Sequence, residues 1–247
     1  TFESTKGDIM PLPTSHYTLS DDKIVIKKGQ VLGGVTVNLT DAFFNDPKAT
    51  ELNYVIPVVM TGVQNADSIL EGKPSVDTPD RVNKEDWEVQ SKDYILYAVK
   101  YISKYDSHYL RRGVDTYTGN KTGTEVRHAA NVEKDETIGG FSTLGLNKVQ
   151  WERPTKDAAG KNVEANLILT FDESGNCVIT SNTEGVEANG SGKFVAKADK
   201  NSWGNKDRDV IYLDYTMDYA GIHCATKDTL VTHYRGVKAE WFTPVKK

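Results

Sequence analysis

Apolar and polar residues alternate with a period of two along almost the whole of this sequence, from "DKIVIKKGQ" near its start to "DTLVTHYRG" near its end. Alternation of that kind sends successive side chains to opposite faces of a strand, and no comparable stretch carries the 3.6-residue period of an amphipathic helix. An all-β fold follows. The one helical turn we expect is in "DAFFNDPKATE", where Thr40 or Asp41 can cap it and Pro47 limits its length.

The order of strands and breaks suggests two domains. Ile24 and Ile26, then Val35, Val37 and Leu39, predict two short strands, and "NYVIPVVM" predicts a third with an edge or a bulge at Pro57, which has no N–H for a ladder bond. From Glu71 to Asp93 the chain turns to Pro, Asp, Asn and Lys with Trp87 as its single ring, and reads as a long loop. "DYILYAVKYI" is a strongly apolar strand, and the polar, turn-rich "KYDSHYLRRGVDTYTGNKTG" behind it puts a boundary near Ser103. Beyond it, strands recur at regular spacing, with "EANLILTF" and "CVITS" joined by "DESGN" as the clearest hairpin. A count of about eight such strands predicts a barrel or sandwich, in which closure hides the edges.

Composition excludes several classes of function. The chain has 247 residues and a formal charge of −5, with Lys and Arg scattered, so we expect no nucleic-acid partner. No apolar run approaches the roughly 18–20 residues that span a bilayer. Thr1, Phe2, Glu3 and Ser4 lack the charged start and apolar core of an export signal, so any such signal or lipid anchor is expected to have been removed. Cys177 and Cys224 each sit in an apolar strand and read as buried free thiols; a disulfide would need their Cα atoms within about 7 Å. The five histidines form no HExxH or close pair, and no GxSxG elbow places a nucleophile, so neither a metal nor a catalytic triad is expected. "DKNSWGNKD" has Asp199, Asn201 and Gly204 of a calcium loop, but Trp203 occupies a ligand position and the closing Glu is missing.

Three stretches, "DRVNKEDWEVQSKDYILYAVKYISKYDSHYLRRG", "SWGNKDRDVIYLDYTMDY" and "KDTLVTHYRGVKAEWFTPV", together resemble a family of Bacteroidetes exported two-domain proteins of unknown function. The resemblance implies an immunoglobulin-like β-sandwich over residues 1–103 and an antiparallel, lipocalin-like β-barrel over 104–247. It also implies an outer-membrane lipoprotein at the cell surface or in the periplasm, beside a starch-utilisation-type glycan uptake system. The expected function is non-catalytic carbohydrate binding, without a cofactor, with a glycan and outer-membrane uptake proteins as partners. The membrane would be reached only through an N-terminal lipid anchor that this chain does not contain. An adhesion or structural protein that binds protein partners through a sheet edge is the first alternative, and a carbohydrate hydrolase the second.

For a sugar site the residues to watch are aromatic rings and polar groups that share a surface. Along the strand from Val210 to Tyr219, the face of Ile211, Leu213, Tyr215, Met217 and Tyr219 reads as core. Tyr212, Asp214 and Asp218 then face solvent or a barrel lumen. Trp203 and Asn205, in the turn before this strand, could present a ring at a barrel mouth or plug its end, and Trp87 is a second ring in a polar loop. Trp151 and Trp241 lie in strand patterns and read as core. Asp214 and Asp218 would be about 13 Å apart on one strand, too far for glycoside hydrolysis, while Asp207 and Asp209, about 7 Å apart, flank Arg208, where ion pairing explains them equally well. Arg111 and Arg112 could bind an anion or fix the two domains together.

Overall fold

The computed structural model describes Thr1 and residues 8–245; Phe2, Glu3 and Ser4, read above for an export signal, lie outside the described residues. The fold is all-β. It divides into two compact units, one of residues 1–101 with 239–247 and one of residues 102–238. The residues from Ala239 on, expected in the second domain, group with the first because the Thr1 ammonium and the Val245 N–H each bond the other residue's carbonyl, at 3.0 and 2.8 Å.

Among the described residues, the first unit has seven short strands in three sheets. They are β1 (Met10–Pro11), β2 (Tyr17–Leu19), β3 (Val37–Leu39), β4 (Tyr54–Val59), β5 (Lys73–Pro74), β6 (Trp87–Val89) and β7 (Tyr94–Val99), with the helical turn α1 (Asp41–Phe44) between β3 and β4. The sheets are β1-β4-β7, β2-β3 and β5-β6. Strand β1 pairs only with Tyr54 and Val55, so β4 is an edge on that side at Pro57, where no N–H is wanted. Phe43, fully buried, centres a core with Leu12, Ala49, Tyr54 and Ile56. The strand expected at Ile24 and Ile26 does not form. Nothing covers its apolar side chains, and Ile24, Val25, Ile26, Val31 and Leu32 are 54–88% exposed. The expected long loop contains the small β5-β6 pairing.

The second unit contains β8 (His108–Gly119), β9 (Gly123–Arg127), β10 (Glu136–Ile138), β11 (Phe141–Gly145), β12 (Lys148–Glu152), β13 (Thr155–Lys156), β14 (Asn162–Val163), β15 (Asn166–Phe171), β16 (Asn176–Ser181), β17 (Val186–Ser202), β18 (Lys206–Tyr219) and β19 (Ile222–Tyr234). Ten of these strands form one sheet, in the order β10-β8-β19-β18-β17-β16-β15-β12-β11 with β9 also paired to β8; β13 and β14 pair with each other. The polar stretch read as a turn-rich boundary is the long strand β8. Its polar residues find partners across the sheet.

Among the described residues the ladder does not close by hydrogen bonds, because β10 and β11 at its two ends do not pair. They are nevertheless consecutive in the chain. Gly139 and Gly140 alone join Ile138 to Phe141, so the two ends cannot be more than about 11 Å apart, and the sheet must coil round on itself. Tyr109 on β8 and Phe141 on β11 meet across this seam at 4.8 Å between ring centroids. The expected barrel is thus a coiled sheet of ten strands, joined at its seam by the chain. Its inner face is a core of Tyr105, Trp151, Leu167, Leu169, Ile211 and Met217, all at most 1% exposed. Gly190 on β17 lets this wall close, since a Cβ there would come within 2.5 Å of the Tyr215 Cα on β18.

Candidate functional site

Apolar side chains do not fill the whole interior of the coiled sheet. Towards one end, charged and hydroxyl-bearing residues occupy inward positions of β8, β9, β18 and β19, and those of β8, β9 and β18 together with residues 152–166 border a cavity of about 820 Å³. Arg111, Asp115, Tyr117 and Arg153 are buried at its floor with Arg127 beside them, while Glu152, Lys156 and Asn162 are exposed at its rim. The β13-β14 hairpin, inserted between β12 and β15, supplies part of that rim.

Sheet register explains how the floor is assembled. Asp228 on β19 stands opposite Gly113 on β8, and Gly113 stands opposite Arg127 on β9. A Cβ on Gly113 would lie 2.5 Å from the Asp228 Oδ1, so only glycine leaves the gap through which Arg127 reaches that carboxylate, at 2.8 Å. Arg111 donates its Nε and one Nη to Asp228 at 3.0 and 2.9 Å. Arg153 crosses from the far wall and donates to the Tyr215 hydroxyl at 2.7 Å and to Asp115 at 3.1 Å. Asp115 also accepts from Arg127 at 2.6 Å, from Thr226 at 2.6 Å and from Tyr117 at 3.1 Å. At the floor's edge, Lys121 bonds Glu125 at 2.7 Å, with its ammonium 3.7 Å from the centroid of the Tyr117 ring.

This arrangement fixes charge states. Burial alone would raise the Asp115 carboxyl, but the Arg153 charge and the hydrogen bonds from Thr226 and Arg127 outweigh it and hold the group at about 2. Burial pushes the Tyr215 phenol up to about 12 and raises that of Tyr117 further, so both stay neutral. Burial opposes the charges of Arg127 and Arg153, yet Asp115 and Asp228 raise the Arg127 guanidinium above its ordinary value, and Tyr215 with Asp115 raises that of Arg153. Because the folded-state value of Asp115 lies below its ordinary 3.8, its stabilising contribution is complete above that pH and fades as pH falls toward 2. Acid titration of the full chain is therefore expected to lose about 2 kcal/mol of stability between about pH 4 and 2 from this group, and Asp115→Asn to lose that part of the pH dependence. Urea midpoints at successive pH values measure it; an unchanged profile in Asp115→Asn would contradict the assignment.

The residues singled out from sequence lie elsewhere. Tyr212, Asp214 and Asp218 share the outer, solvent face of β18 rather than the lumen; Asp214 pairs with Lys227 at 3.2 Å and Asp218 with His223 at 2.8 Å. Trp203 is half-buried. Its indole N–H bonds the Thr232 carbonyl at 3.1 Å, the Arg208 guanidinium covers one face of its ring at 3.7 Å from the centroid, and His233 packs against it in a T-shaped contact at 4.7 Å. Arg208 does not pair with Asp207 or Asp209; those carboxylates bond Lys200 and the Lys197 N–H at 2.9 and 2.8 Å. Asn205 is an exposed turn residue at φ 55°, a conformation Asn tolerates. Trp87 belongs to the first unit and donates to the Asp80 carbonyl at 2.9 Å. Trp241, expected in a core, is 93% exposed; Trp151 is fully buried. Arg111 and Arg112 are both engaged inside the second unit, with Asp228 and Asp135 respectively. Cys177 and Cys224 are buried free thiols.

Sequence reading named Arg111 as a possible anion ligand but passed over the rest of the cavity floor, although a signal was present. Asp115 and Arg111 alternate in register with Tyr109 and Tyr117, and Asp228 and Thr226 with Cys224 and Leu230, so ionised groups occupy positions whose neighbours are core.

A family model described as a domain of unknown function (DUF5627) matches residues 104–236, just over half of the chain, and a model described as an N-terminal domain matches residues 1–67. A search of the curated proteins finds no match. A crystal structure from Bacteroides ovatus, described as a structural genomics target of unknown function, is similar at TM-score 0.87 and 45% identity, over 96% of this chain and 76% of that one. These similarities fit a Bacteroidetes two-domain protein, and the chain belongs to the DUF5627 family.

Proposed function

We propose that the protein is a non-catalytic carbohydrate-binding protein of the outer membrane or cell surface, a lipoprotein that serves a glycan uptake system, and that the cavity of the second unit is its binding site. The observation that carries the reading is the cavity itself: about 820 Å³, within the range of small-ligand sites, and bordered by Arg, Glu, Asn, Lys and Tyr side chains. Such groups meet sugar hydroxyls well and suit a lipid poorly. The uptake setting rests on the sequence resemblance alone.

Affinity electrophoresis against plant, host and microbial polysaccharides tests the proposal. Asn162→Ala and Lys156→Ala, at the exposed rim, are expected to weaken binding by about tenfold each, the loss of a hydrogen bond or two, while Tyr212→Ala on the outer face leaves it unchanged. The reverse pattern would return the site to the outer face of β18. Retardation by none of the polysaccharides would favour the adhesion reading, for which the exposed apolar side chains of residues 24–32 are the supporting observation.

A further inference from the structure

We infer that the ligand of this cavity carries a negative charge, as a carboxylate on a sugar, and that Arg111 and Arg127 receive it. The inference rests on the carbohydrate reading above and goes further by naming the class of sugar. It comes from the balance of charge at the floor. Arg111, Arg127 and Arg153 bring three positive charges, and Asp115 and Asp228 bring two negative ones. The nearest further pair, Lys121 with Glu125, cancels itself. One positive charge remains without a counter-charge, on side chains no more than 17% exposed, where water screens it poorly.

The remaining hydrogen-bond capacity agrees. Asp115 already accepts from Arg127, Arg153, Thr226 and Tyr117, and Asp228 from Arg111, Arg127 and Tyr215. On the donor side, Arg127, which lines the cavity and is 17% exposed, gives one bond from its Nη1, to Asp115. Arg111, which lines the cavity, gives only its Nε and Nη2 to Asp228. The carboxylates of Glu136, Glu152 and Glu164 also border the cavity, but they are exposed at its mouth, where solvent screens them. An incoming carboxylate would accept from guanidinium groups that are held in place before it arrives, and it would neutralise the floor.

The test compares matched ligands on the unaltered full chain: oligosaccharides containing glucuronic, galacturonic or sialic acid, the same oligosaccharides after carboxyl reduction, and acetate and sulfate alone, by isothermal titration calorimetry. At least one acidic oligosaccharide is expected to bind about tenfold or more tighter than its reduced form, and Arg127→Gln, with folding checked by circular dichroism, to abolish the difference. Equal binding of an acidic oligosaccharide and its reduced form would overturn the charge inference and leave carbohydrate binding standing. Binding of acetate or sulfate with no oligosaccharide bound would keep the anion site and overturn the sugar. No binding of any of them would overturn both. Since the decisive comparison uses unaltered protein, it holds even if Arg127→Gln fails to fold.

Discussion

Asp228→Ala is expected to destabilise the second unit by about 3–5 kcal/mol, the cost of breaking a buried ion network by removing one partner. The Asp228 side chain is fully buried and accepts from Arg111 at 3.0 and 2.9 Å, from Arg127 at 2.8 Å and from the Tyr215 hydroxyl at 3.2 Å. Alanine would leave three guanidinium groups facing a single carboxylate, Asp115. Asp228→Asn keeps an acceptor at the same position but loses the charge, and is expected to cost less than Ala. Urea denaturation of the full chain, followed by near-ultraviolet circular dichroism, measures both. A cost under about 1 kcal/mol for Asp228→Ala would mean that the network is hydrated and contributes as little as surface ion pairs do.

Trp151→Ala carries an expected loss of similar size, about 3–5 kcal/mol, for a different reason. The ring is fully buried on β12, stacked on Phe141 at 5.3 Å between centroids and lying under the Arg111 guanidinium at 5.4 Å. It supports the seam on one side and the charged floor on the other, and its removal leaves a void at both. Trp151→Phe separates ring volume from the indole N–H, which is buried with no partner among the described residues. Phe keeps most of the contacts and removes an unsatisfied donor, so the expected cost is below about 1.5 kcal/mol. A Phe variant as unstable as the Ala variant would show that the N–H has a partner, such as a buried water.

Alternation was enough to assign β18 correctly: Ile211, Leu213, Tyr215, Met217 and Tyr219 are all buried, and Tyr212, Asp214 and Asp218 face solvent. The β15-β16 hairpin was legible for the same reason, as was the burial of Cys177 and Cys224. Local rules failed where a side chain's value depends on distant partners. Ile24 and Ile26 have the pattern of a strand, but no neighbouring strand or core arrives to bury them.

The alternating pattern, set by side-chain direction along an extended backbone, is local, and it decided the all-β class and the inner and outer face of each long strand. The site depended on which strands became neighbours. Arg111 meets Asp228 from 117 residues away because β8 and β19 pair, and Arg153 meets Tyr215 from 62 because the coiled sheet brings its far wall across. Coiling turns ionised residues, each unremarkable on its own strand, into a buried floor with one uncompensated charge. That outcome belongs to the tertiary structure, because burial and pairing are properties of the assembled walls and not of any single segment.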